Sequence, residues 1–179
     1  MRRLSAVTVV AFGLALVACS DDESGGAPRQ GEPAARQAPA GRRPVAAPTP
    51  FPGKTNYEAA KQAVFRNDME TAIARLEEAV NENADFTEAW YQLGAARSNL
   101  AIDTVLADET AAVMLFHDAV AAKRQAQALM DQGIFWVWDA QAQAEARSDL
   151  ELALEDADEV TANEESLVIA LRLYAAARQ

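Results

Sequence analysis

Proline most limits what this chain can fold into. All seven prolines fall between Pro28 and Pro52, and none follows from Lys54 to Gln179. That long second part holds two glycines, Gly94 and Gly133. β-Sandwiches and barrels need frequent Gly, Pro and Asn punctuation at their turns, so this stretch is expected to be helical. Half of the whole chain is hydrophobic, which excludes wholesale disorder. Composition thus divides the protein near residue 53 into a proline-bearing part and an all-α part.

The start of the chain reads MRRLSAVTVVAFGLALVAC. Arg2 and Arg3 give a positive beginning, and Leu4 to Ala18 give an uncharged, mostly apolar run. That run is shorter than the about 20 residues a spanning helix needs, so residues 1–18 are expected to be a secretory signal. Leu16-Val17-Ala18-Cys19 resembles a bacterial lipobox, and Cys19 is the only cysteine. The resemblance implies cleavage before Cys19 and acylation of its thiol. It also implies lipid anchoring in the bacterial cell envelope, with Ser20 pointing to the periplasmic face of the outer membrane. Two or more acyl chains anchor a protein stably where one does not. Residues 19–52 carry all the prolines, with Val45 and Phe51 as the only sizeable apolar side chains. They are expected to be a disordered tether, partly polyproline II.

Helix signals follow. Thr55-Asn56 is expected to cap a first helix, with Tyr57, Ala60 and Val64 on one face. Asn67-Asp68 makes a turn into a second helix with the stripe Ala72, Ile73, Leu76, Ala79 and Val80. Asn81 to Asp85 breaks the pattern, and Thr87 opens a third helix. A fourth runs to about Met130, stopped at Asp131-Gln132-Gly133. A fifth is expected from Ile134 to about Ala157, and Thr161-x-x-Glu164 reads as a capping box for a sixth.

Part of this resembles a tetratricopeptide repeat, whose unit of about 34 residues carries a W-x2-L-G-x2-Y…A-x3-F…P pattern. The likeness rests on Ala72-x3-Leu76 with Ala79, then on Trp90-x2-Leu93-Gly94 in NADFTEAWYQLGAA. Arg97, Leu76 and Ala84 stand where the family has Tyr, Phe and Pro, and the period is lost beyond Leu100. The resemblance implies three antiparallel helix hairpins covering residues 53–179. If Ala119 and Ala126 match Ala72 and Ala79, the second repeat carries about 13 extra residues. It also implies protein or peptide binding along the face of the first helices, where Tyr57, Lys61, Tyr91 and Asn99 stand.

Other chemistries find little support. His117 is the sole histidine, expected to be partly buried beside Val113 and Val120, and no second ligand lies near it. Asp156-x-Asp158-Glu159 begins like a calcium loop, but Val160 and Thr161 occupy positions that need a ligand and a glycine. No phosphate loop or H-E-x-x-H occurs. Residues 53–179 hold 23 acidic residues against 10 lysines and arginines, which argues against nucleic acid or anionic lipid as a direct ligand. The run Ile134-Phe135-Trp136-Val137-Trp138 is apolar on every side of the expected fifth helix and reads first as inter-hairpin core, with an exposed aromatic docking patch or a membrane-touching edge as the alternatives. Together these features lead to a non-catalytic, lipid-anchored adaptor without a cofactor. An accessory subunit of peptidoglycan enzymes and a small-molecule or metal-binding lipoprotein are the alternatives.

Overall fold

The computed structural model describes residues 51–179; Cys19 and the stretch read as signal and tether lie outside the described residues, apart from Phe51 and Pro52. Six helices and no strand occur among the described residues: α1 (Lys54–Phe65), α2 (Met69–Glu82), α3 (Thr87–Thr104), α4 (Glu109–Asp131), α5 (Ala140–Thr161) and α6 (Glu164–Ala177). The protein is all-α, as its proline distribution requires. Among the described residues no helix is long and apolar enough to cross a membrane.

The first hairpin follows the sequence pattern closely. Asn67 takes a left-handed turn with φ of 58°, a conformation asparagine tolerates better than most residues. Asp68 then caps α2 by accepting from the Thr71 amide at 3.1 Å. The start of α1 differs from the Thr55-Asn56 expectation. The helix begins at Lys54, and Gly53 sits at its cap position with φ of 86° and no side-chain cap. The missing cap comes from the last residue of α2. Glu82 accepts from the Gly53 amide at 2.8 Å and from Asn56 Nδ2 at 2.9 Å. A carboxylate from the neighbouring helix thus closes the hairpin. Gly53 also has no room for a side chain, since a Cβ there would stand 2.6 Å from the Ala79 carbonyl oxygen.

Two cores result. Tyr57, Ala60, Leu76, Ala79, Phe86, Ala89 and Leu93 form one, between α1, α2 and the first half of α3. Ile102, Val105, Phe116 and Val120 form the other with Leu150, Leu154, Leu167 and Leu171 of the last hairpin. Helix α3 lies between them, packed against α2, α4 and α6. Gly94 marks its closest approach to α4, where a Cβ would stand 2.6 Å from Lys123 Cγ and 3.0 Å from the Ala119 carbonyl oxygen. Ala72, Ala79, Ala119 and Ala126 are all fully buried.

The last third departs from expectation in two places. Helix α5 begins at Ala140, capped by Asp139 on the Ala142 amide at 2.9 Å, and not at Ile134. Asn163 caps α6 on the Glu165 amide at 2.9 Å, while the Thr161 hydroxyl bonds back to the Ala157 carbonyl and serves no cap. Phe51, assigned by composition to the tether, packs against Phe86 with ring centroids 5.0 Å apart. The packed region therefore begins before Gly53.

Candidate functional site

Glu88 organises the most unusual surface of the protein. It lies in the first turn of α3, where the helix dipole favours a negative charge, and it is wholly buried. An isolated buried carboxylate is costly, so its partners matter. Its Oε1 accepts three consecutive backbone amides: Trp136 at 2.8 Å, Val137 at 2.8 Å and Trp138 at 3.0 Å. Three charge-assisted bonds to one oxygen replace water and fix the path of residues 134–138. The chain bends at Trp136 and Val137, and the expected helix gives way to a docked, non-helical segment.

Flanking contacts complete the docking. The Thr87 hydroxyl donates to the Ile134 carbonyl, and the Trp136 indole donates to the Asp85 carbonyl at 2.9 Å. Trp136 packs on Phe51 with centroids 5.0 Å apart. Trp138 meets the Tyr91 ring edge-on at 5.1 Å, and its carbonyl accepts from Gln143 Nε2 at 2.8 Å.

Of the four residues expected on the partner-binding face, Tyr57 and Tyr91 converge on this segment. Tyr57 is buried against Phe86 and hydrogen-bonded to the Trp138 indole; burial, then the charges of Glu88 and Glu58, hold its hydroxyl pKa well above 10. Tyr91 is half-buried. Burial, then the Asp149 charge and the hydrogen bond to it, push its pKa up to about 12. Lys61 is exposed, paired with Glu58 at 3.4 Å and 5.8 Å from the Tyr57 ring centroid. Asn99 lies two turns along α3 from Tyr91 and accepts from the Arg178 guanidinium. The structure thus gathers Tyr57 and Tyr91 under residues 134–138 and leaves Lys61 and Asn99 outside that contact.

Sequence reasoning did not select Glu88, Thr87 or the backbone of 136–138. The available signal was the Trp-x-Trp pattern at 136 and 138, since residues two apart do not share one helix face. His117 is exposed, because Phe116 fills the position toward the core. Among the described residues no three His, Cys, Asp or Glu side chains cluster as a metal site.

No family model, curated protein or solved structure matches the chain.

Proposed function

We propose that this protein is a lipid-anchored, non-catalytic adaptor of the bacterial cell envelope, held by Cys19 and reaching a protein or peptide partner from the end of a proline-rich tether. The observation that carries this reading is the α1/α3 face, where Tyr57, Tyr91, Phe51 and the buried Glu88 grip a length of main chain. That is what a peptide-binding surface does: a fixed acceptor for backbone amides and aromatic walls for side chains. The lipobox and the tetratricopeptide-like Ala72…Ala79 and Trp90-x2-Leu93-Gly94 patterns support the same reading.

Two measurements test it. Cys19→Ala is expected to move the protein from the membrane to the soluble fraction, and unchanged membrane association sinks the anchor. Cross-linking in cells is expected to recover a specific protein partner that is lost on Tyr91→Ala. Turnover of cell-wall material by the purified protein, with no such partner, would replace the adaptor by an enzyme.

A further inference from the structure

Ile134–Trp138 is five apolar residues in succession, and none of them is buried. Trp136 is 43% exposed and Val137 40%. A core segment of this composition would be sealed from water, whereas an apolar run lying on a surface marks recognition. The grip is of the kind that holds a ligand. One carboxylate takes three successive amides. Aromatic side chains two residues apart find separate walls, Trp136 on Phe51 and Trp138 on Tyr91.

This internal occupant satisfies the site incompletely. Glu88 Oε2 is buried, and among the described residues no donor reaches it. A ligand bringing one more donor would remove that cost. The segment leaves α4 through a left-handed turn, in which the Gly133 and Ile134 amides donate back to the Met130 and Leu129 carbonyls. Gly133 turns with φ of 73°, with nothing within 4 Å of the position a Cβ would take. Around the face stand further acids, Glu58 beside Tyr57, Asp149 beside Tyr91, and Asp85, whose carbonyl binds Trp136.

We propose that the α1/α3 face binds a partner peptide bent so that three successive amides converge on Glu88, with aromatic side chains at the first and third of those positions and cationic flanks, and that Ile134–Trp138 is its built-in competitor. The inference rests on the adaptor reading and names the partner's chemistry. The competitor lowers apparent affinity in proportion to the fraction of molecules whose face is open. A partner gains the face only by displacing the segment, so binding and release of residues 134–138 are coupled.

The test uses the full lipidated chain in nanodiscs and a labelled peptide, acetyl-Lys-Ile-Phe-Trp-Val-Trp-Lys-amide. Its control is the same peptide N-methylated at Trp, Val and Trp, which keeps the apolar surface and removes the amide donors. We expect the Trp136→Ser/Trp138→Ser variant to bind the unmethylated peptide at least tenfold more tightly than the unaltered chain. Adding Glu88→Gln is expected to lose most of that gain, and methylation to abolish it. Equal binding of the two peptides, or no gain in the double variant, overturns the proposal. Should that variant lack the helical circular dichroism of the unaltered protein, the unaltered protein carries the test. Excess peptide must then accelerate hydrogen exchange at the Trp136–Trp138 amides, and no acceleration overturns the proposal. The titration involves neither a cellular partner nor membrane fractionation. A negative titration overturns this proposal and leaves the adaptor reading standing, whereas failed cross-linking beside a positive titration counts against the cellular adaptor and not against peptide binding by the face.

Discussion

Lys123 and Gly94 meet at the α3–α4 crossing, and each limits the other. The Lys123 stem lies over Gly94, and its side chain is buried, which pulls its pKa down from 10.5 to about 8. Below pH 8 both folded and unfolded chains hold the proton, and the fold bears the cost of a buried ammonium, roughly 3 kcal/mol by the size of the shift. Between pH 8 and 10.5 the unfolded chain still binds a proton the folded one has released, so stability rises with pH. Tyr91 and Tyr57 act in the opposite sense above 10. The folded chain keeps phenolic protons that the unfolded chain loses, so stability then falls. Urea midpoints measured against pH are therefore expected to climb from pH 8, peak near about 10 and decline. Lys123→Met should remove the climb and leave the decline. Gly94→Ala sets two terms against each other: about 1 kcal/mol of gained helix propensity against about 1–3 kcal/mol of overpacking. The contacts are backbone oxygen and the near end of a buried stem, neither free to move, so overpacking wins. A net loss of about 1 kcal/mol is expected in denaturant titrations.

The six helices differ in how much of each was legible beforehand, and the cause is the range of the deciding contact. Helix α2 was readable because its stripe and its Asp68 cap are local, acting within four residues. Residues 134–138 were not, because the carboxylate that holds their bend lies 48 to 50 positions earlier at Glu88. An apolar run has no periodicity from which such a partner can be read. The start of α1 failed likewise: Gly53 depends on Glu82, 29 positions on. Tyr57 and Tyr91 were found by their places on first helices, yet what they touch is the chain's own Trp138. In α6 the local pattern holds, with Leu167 and Leu171 each 1% exposed on one face. Its ion pairs, Arg172 with Glu109 and Arg178 with Asp103, are half in solvent and worth little. Leu171→Ala is accordingly expected to cost about 2–4 kcal/mol, and Arg178→Ala less than about 0.5 kcal/mol, both by chemical denaturation.

Over residues 51–179 the two cores share one wall, and charge is spread unevenly on either side of it. Ala89, Leu93 and Ala96 of α3 serve the first core, Ala101, Ile102 and Val105 serve the second, and Trp90 packs against both. Helix α4 is shared as well, since Ala122 joins the first core while Phe116 and Val120 join the second. Opening α3 or α4 exposes both cores, whereas α1–α2 or α5–α6 can open at the expense of one. Amide exchange is thus expected to be slowest in α3 and α4. The two outer hairpins should then separate by salt. Helices α5 and α6 carry nine acidic residues against Arg147 and Arg172, while α1 and α2 carry five against Lys54, Lys61 and Arg75. Self-repulsion of exposed like charges is screened as the Debye length falls from about 30 Å at 0.01 M to about 3 Å at 1 M. Raising sodium chloride across that range should slow exchange in α5–α6 clearly and in α1–α2 only slightly. Hydrogen exchange read by mass spectrometry on the full chain checks this directly. An equal response in both hairpins would mean that the acidic excess on α5 is already neutralised within the fold, by pairs such as Arg124 with Asp158 and Arg147 with Asp131.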